Sequence, residues 1–213
     1  MSRSVAHVAA SDCERCRPGL VAQPANTASS LAYVATGALA VRAARRRPKG
    51  RPSEAALGWA TVAAGLGSVA YHGPGTTFGR YVHDASLLAM LGLVALADAE
   101  LVAGSTAPQA AVVAVPLVAA AAAHPATSML AQVAAGVAAA VGEGLRMRAT
   151  PATGARLRWR QAEAWVAGGG AMLHLLGRTG GPLCRPDSLL QPHSAWHVAT
   201  ASTVWFRSCD LDH

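Results

Sequence analysis

The chain has 213 residues, of which 52% are hydrophobic and only 14% are charged. A soluble domain carries about a quarter charged residues, so this composition argues against a soluble protein and favours a membrane protein. The net charge of +7 does not indicate nucleic-acid binding, because the basic residues concentrate in two short stretches, VRAARRRPKGR and RMRATPATGARLRWR. Basic loops between apolar segments are typical of the cytoplasmic side of a membrane protein.

Seven stretches approach the roughly 20 apolar residues that a membrane-spanning helix needs. The fourth is the weakest prediction because it is short and contains Pro116. The separators are short and rich in Gly and Pro, so we predict one domain over 1–213, an all-α integral membrane bundle of seven transmembrane helices. The predicted spans are 25–43, 54–72, 83–103, 108–123, 126–145, 161–177 and 192–207.

The N-terminal segment and the distribution of basic residues between the loops predict how the bundle is oriented in the membrane. Residues 1–24 lack the apolar core of a signal peptide and form an outer N-terminal segment. Most of the 18 Lys and Arg residues fall on one side of the predicted bundle. The asymmetry predicts an N-terminus outside the cell and a cytoplasmic C-terminus.

Polar side chains collect at the predicted outer end of three spans. Ser68 and His72 close the second span, and Asp84 opens the third. The seventh span begins QPHSAWHVATAS, which contains His193 and His197. Three segments that are distant in sequence thus bring polar groups to the same depth. Imidazoles in a membrane segment are costly, so a functional cause is the default interpretation.

The spacing of these residues indicates a metal site. His193 and His197 are four residues apart and share one face of a helix, an arrangement that can bind a single metal ion. A third nitrogen from His72 would give three histidine ligands and leave a fourth position for water, as in catalytic zinc sites. Asp84 would then orient a ligand or act as a general base.

Other polar residues receive weaker interpretations. We expect His83 to be a spectator, because adjacent side chains on a helix point about 100° apart. His174 in the sixth span either lines the pocket or bonds a backbone carbonyl. Asp98 and Glu100 fall at an inner helix end, where we expect them to be solvated.

The combination resembles the alkaline ceramidases, which belong to a superfamily of seven-span membrane hydrolases that includes the adiponectin-receptor-like proteins. The matching residues are Ser68, His72, Asp84, His193 and His197, in the same order along the spans. CRPDSLLQPHSAWHVATA resembles the C-terminal signature of the family. CERCRPGLVAQPANTASSLAYV resembles its N-terminal start.

The resemblance implies zinc held by His72, His193 and His197, and water activated by that zinc attacking a lipid amide. It further implies that Asp84 handles protons and that Ser68 stabilises the oxyanion. The short chain looks most like bacterial members, which places it in a bacterial plasma membrane. The resemblance implies a ceramide-like substrate taken from the bilayer. Because many bacteria lack ceramide, another lipid amide is the alternative substrate.

The N-terminal segment carries two further expectations. The family joins positions matching Cys13 and Cys184 by a disulfide, although Cys13 and Cys16 could instead form a small metal or redox pair. Animal members bind calcium with acidic residues of this segment. Here Asp12 and Glu14 remain as a possible weak calcium site, but a later acidic position is Gln23, so Ca²⁺ is doubtful.

Two other functions are compatible with the pattern. The first is a non-enzymatic seven-span receptor or lipid-binding protein that keeps zinc for structure. The second is a haem-binding bundle that uses paired histidines. Sequence does not specify the acyl chain of the lipid or the oligomeric state.

Overall fold

The computed structural model describes residues 10–47, 52–103 and 117–211. These residues form helices joined by turns, with no strand among them, which confirms the predicted all-α fold. The described elements are a 3₁₀ turn, Ala10–Asp12, and the helices α1 (Pro24–Arg46), α2 (Pro52–His72), α3 (Thr77–Ala103), α4 (117–123), α5 (Pro125–Ala149), α6 (Gly154–Leu176) and α7 (Pro192–Leu211).

Several helices extend beyond the predicted spans. α6 begins at Gly154 rather than at 161, and α7 continues to Leu211 rather than ending at 207. Arg and Glu are good helix formers, and their aliphatic stems can lie along apolar surface, so apolar length alone underestimates these helices. Most of the predicted fourth span lies outside the described residues, and its remainder, 117–123, is helical.

Two of the helical segments, Thr77–Val102 and Pro125–Ala149, are long and apolar enough to cross a membrane. Large apolar side chains also remain exposed on the helix surfaces, among them Leu130, Trp165 and Leu175. Extended apolar surface of this kind marks a face that meets lipid or another protein. These findings support association with a membrane. The seven-span topology and its orientation stay predictions.

Among the described residues, the helices pack in an order that is not simply sequential. α1 packs between α2 and α7, α3 packs on α2 and α5, and α6 packs on α7. The consecutive helices α5 and α6 do not form an extensive interface with each other. The resulting arrangement brings the end of α2 and the start of α7 together against α1.

Close helix contact between α1 and α2 depends on glycine. A Cβ at Gly37 would lie 2.7 Å from both the Gly58 carbonyl oxygen and the Val62 nitrogen. Small residues at such positions let helix backbones approach closely, which is how membrane helices gain packing energy.

We expect Gly37→Ala to lower the free energy of unfolding by about 1–3 kcal/mol, because the added methyl group meets backbone atoms that cannot move aside. Thermal unfolding in detergent measures the change. Gly136→Ala is the matched control, since a Cβ there meets nothing within 4 Å. Equal unfolding temperatures for the two variants would contradict this packing.

The end of the bundle opposite the histidines contains a buried ionic network. Arg207 Nη1 lies 2.5 Å from Asp98 Oδ1 and 2.5 Å from Glu143 Oε2. Arg146 pairs with Asp98, Glu143, Glu163 and Asp210. This network joins α3, α5, α6 and α7.

The expectation that Asp98 is solvated is therefore wrong, because Asp98 is fully buried between Arg207 and Arg146. Neighbouring helices supply opposite charges that replace water around this carboxylate. Glu100 is half-buried and accepts a hydrogen bond from Ser53, so it keeps part of its contact with solvent.

Candidate metal centre

Three histidines from two helices converge at one end of the bundle. His72 is the last residue of α2, and His193 and His197 occupy the first two turns of α7. One ring nitrogen from each lies within 4.8 Å of the others. The ring centroids are separated by 5.1 Å from His72 to each partner and by 4.5 Å within the pair on α7.

The tautomer of His72 is set by Gln23, the residue before α1. Gln23 Nε2 donates to the Glu14 carbonyl oxygen at 2.8 Å, which orients its Oε1 toward His72 Nδ1 at 2.6 Å. An amide oxygen only accepts, so His72 Nδ1 carries the proton and Nε2 keeps its lone pair. That Nε2 is buried and has no hydrogen-bond partner among the residues that the structure describes. A buried nitrogen lone pair of this kind fits a metal ion.

His197 is oriented in the same way by Ser29. The Ser29 hydroxyl donates to the Asn26 carbonyl oxygen at 3.0 Å, and its Oγ lies 2.9 Å from His197 Nδ1. Because a hydroxyl has one proton, Ser29 accepts from Nδ1. The Nε2 lone pair of His197 is then left for a metal.

His193 has a different environment. Its Nδ1 is buried without a hydrogen bond to any described residue, and the Asp12 carboxylate lies 3.8 Å away. Asp12 is itself buried and accepts a hydrogen bond from Ser11 at 3.0 Å. Burial raises the pKa of Asp12 above its ordinary value, and the hydrogen bond from Ser11 opposes that shift.

Ser68 lies one turn before His72 on α2 and is buried. Its Oγ is 2.8 Å from Ser30 Oγ, which donates to the Asn26 carbonyl oxygen at 2.7 Å and lies 3.5 Å from His197 Nδ1. Since the single proton of Ser30 is engaged, Ser68 donates to Ser30. Ser68 is thus joined to the histidine cluster through Ser30.

Asp84 is held by three partners near the start of α3. Its carboxylate accepts from Arg80 Nη1 at 2.7 Å and from Ser128 of α5 at 2.8 Å, and it lies 2.9 Å from His83 Nδ1. Arg80 also donates to the carbonyl oxygens of residues 122 and 123 at the end of α4. Asp84 and Arg80 together therefore join α3, α4 and α5.

The reason for expecting His83 to be a spectator, that it points away from Asp84, is wrong. Its imidazole bonds Asp84, stacks on Tyr71 at a centroid distance of 5.0 Å, and lies 6.2 Å from the ring of His72. Adjacent side chains diverge at Cβ, but an imidazole is long enough for its Nδ1 to turn back to the neighbouring carboxylate. His83 thus lies between Asp84 and the ring of His72.

His174 lies beside the cluster and not in it. Its ring is 5.4 Å from that of His193 and 5.1 Å from that of Trp196, and its Nδ1 is buried without a hydrogen bond. Of the two interpretations left open by the sequence, lining the site agrees better with this position than bonding a backbone carbonyl.

A disulfide and an ion pair join the N-terminal segment to the loop between α6 and α7. The structure joins Cys13 and Cys184 in a disulfide with a Cα–Cα distance of 5.5 Å, which leaves the Cys16 thiol free. Exposed Arg15 and Asp187 pair nearby at 2.6 Å, and the hydrogen bond from Arg15 lowers the pKa of Asp187.

Glu14 serves a structural purpose at the start of α1. Its two carboxylate oxygens accept from the backbone N–H groups of Ala25 and Asn26 at 2.8 and 2.9 Å. A carboxylate at a helix N-terminus satisfies otherwise unpaired donors and interacts favourably with the helix dipole. Asp12 faces His193 instead, so Asp12 and Glu14 have separate partners, and calcium at this segment stays doubtful.

A comparison with protein-family models finds no match for this chain, and a comparison with curated protein sequences finds none either. The functional interpretation therefore depends on the geometry of these side chains and on the resemblance of the motifs.

Several residues that contact the site were not predicted from the sequence. They lie mainly on α1, where Asn26, Ser29, Ser30 and Tyr33 follow Gln23 with the spacing of one helix face. Polar residues at that spacing in an apolar segment are the signal that could have found them.

Proposed function

We propose that this chain is a zinc-dependent integral membrane hydrolase that cleaves the amide bond of a ceramide-like lipid. The observation that carries the proposal is the convergence of His72, His193 and His197, with one nitrogen of each within 4.8 Å of the others. Three histidine ligands leave a fourth coordination position open, which distinguishes catalytic from structural zinc sites.

Zinc bound by these histidines would polarise the amide carbonyl and lower the pKa of water to about 7. The protein fixes the orientation and tautomer of the histidine ligands before the metal binds. Gln23 and Ser29 fix the tautomers of His72 and His197, so both rings present a lone pair without rearrangement. Such outer partners raise the basicity of the ligand and maintain its orientation.

Ser68 and Asp84 have separate roles in the proposed reaction. The Ser68 hydroxyl can rotate from Ser30 toward the developing oxyanion, where one donor is worth about 3 kcal/mol. Asp84, joined to His83, accepts a proton from the attacking water and returns it to the leaving amine. Water adds to the carbonyl carbon, the C–N bond breaks, and the products are a fatty acid and a free amine.

The surfaces of α5 and α6 support delivery of the substrate from lipid. Among the described residues these two helices lack an extensive interface, and apolar side chains such as Leu130 and Leu175 are exposed on them. His174 of α6 lies beside His193. A lipid between these helices could place its amide at the histidines while its acyl chain stays in hydrocarbon.

The test is turnover of a fluorescent ceramide by the zinc-loaded protein in detergent. We expect the wild type to release free amine. Asp84→Asn should be slower by about 10²–10⁴-fold, because the asparagine side chain cannot take up a proton as the carboxylate does. Zinc content should be equal in both. Asp187→Asn is the matched control, since Asp187 is exposed and pairs only with Arg15 among the described contacts.

Zinc-loaded wild type that leaves the lipid amide intact would contradict the proposal. A non-enzymatic receptor or lipid-binding protein with structural zinc is the second candidate. It is favoured by the three partners that hold Asp84, since such a carboxylate also stabilises helix packing. It predicts bound zinc and no turnover in both proteins, with a lower unfolding temperature for Asp84→Asn than for the wild type.

A further inference from the structure

Asp12 is a buried carboxylate brought to α7 by distant parts of the chain. The neighbouring Cys13 is bonded to Cys184, and its backbone N–H donates to Thr179 Oγ1 at 3.1 Å. The Thr179 N–H in turn donates to the carbonyl oxygen of Ser11 at 3.1 Å. These contacts fix the 3₁₀ turn that carries Asp12 against the start of α7.

His193 differs from the other two histidines of the cluster. His72 and His197 each bond an outer partner through Nδ1, whereas no hydrogen bond is found for His193 Nδ1 among the residues that the structure describes. The Asp12 carboxylate, 3.8 Å away, is within ion-pair distance of that nitrogen. A contraction of less than 1 Å would turn this approach into a hydrogen bond.

We propose that Asp12 is the positioning residue for His193, accepting the proton on Nδ1 so that Nε2 faces the metal. The inference rests on the proposed function, because it takes the three histidines as zinc ligands. Asp12, Gln23 and Ser29 then supply one outer partner to each ligand. All three lie between residues 12 and 29, so the N-terminal segment and the start of α1 orient the whole metal centre.

The role of Asp12 can also be tested by removing the disulfide that holds its turn in place. Cys13 is adjacent to Asp12, and its bond to Cys184 holds the turn in place. Without the bond, Asp12 is expected to lie against His193 for a smaller fraction of the time. The effects of losing the bond and of losing the carboxylate should therefore overlap.

Zinc affinity tests the proposal. The full-length protein in detergent is stripped of metal and titrated with zinc against a competing chelator. Loss of an outer partner typically costs 10–100-fold in metal affinity, and we expect at least tenfold for Asp12→Ala, which removes the acceptor oxygen altogether. Asp187→Ala, at an exposed aspartate of the loop that pairs with Arg15, is the matched control and should bind zinc like the wild type.

A double-mutant cycle separates positioning from general damage to the fold. Replacing Cys13 and Cys184 with Ser should weaken zinc binding in the wild type and have little further effect in Asp12→Ala. Additive losses would overturn the proposal, as would an Asp12→Ala variant that binds zinc as tightly as the wild type. X-ray absorption that shows a carboxylate oxygen lost from zinc in Asp12→Ala would make Asp12 a ligand and equally overturn it.

Failure of this inference and failure of the proposed function give different results. Wild type that binds zinc but leaves the lipid intact contradicts hydrolysis and leaves the role of Asp12 standing. Asp12→Ala with wild-type zinc affinity contradicts the role of Asp12 and leaves hydrolysis standing.

Discussion

Replacing His193 and His197 together with Ala is expected to abolish zinc binding and lipid turnover. Each imidazole supplies one of three ligands, and the remaining nitrogen on His72 cannot hold the ion alone. Metal analysis of the purified protein should fall from about one zinc per chain to below about 0.1. Turnover should fall by at least about 10³-fold, because both activation of water and polarisation of the carbonyl are lost.

The matched control for this variant is His124→Ala. His124 caps α5 through its side chain and is not part of the histidine cluster. The His124→Ala variant should bind zinc and turn over the lipid as the wild type does. Retention of zinc by the double variant would show that the ion binds elsewhere and would remove the basis of the proposed site.

Arg207→Met is expected to produce a large loss of stability without loss of zinc. The substitution leaves Asp98 and Glu143 without the guanidinium that lies 2.5 Å from each of them. Removing one partner of a buried ion pair costs about 3–5 kcal/mol, since the remaining charges stay desolvated. Thermal unfolding in detergent measures the loss.

Arg15→Gln provides the contrast, because it breaks the exposed pair with Asp187 and should leave the unfolding temperature unchanged. Zinc binding should survive in Arg207→Met, since Arg207 lies ten residues beyond His197, or about 15 Å along α7. An unfolding temperature equal to that of the wild type would show that the ionic network contributes no net stability.

The sequence was sufficient to predict the convergence of the histidines. His193 and His197 have the spacing of one helix face, and His72 closes another apolar segment at the same predicted end. Position at a helix end and periodicity are local properties, so they can be interpreted without knowing which helices are neighbours. The structure places these three nitrogens together.

The spacing of polar residues on α1 could indicate that they face a site, but which histidine each of them bonds could not be predicted, because the pairing depends on helix packing. Gln23 and Ser29 reach the site only because α1 packs between α2 and α7. The burial of Asp98 has the same origin, since its partners Arg146 and Arg207 come from α5 and α7. A charged residue at a helix end looks solvated until the neighbouring helices are known.

The central claim is that these histidines hold a zinc ion that directs water to a lipid amide. The most direct measurement is incubation of zinc-loaded and metal-free protein with ceramide in ¹⁸O-labelled water, followed by mass spectrometry of the products. We predict equimolar free amine and fatty acid, with one ¹⁸O atom in the carboxylate, from the zinc-loaded protein alone. Intact ceramide with the zinc-loaded protein, or equal cleavage without zinc, would contradict the claim.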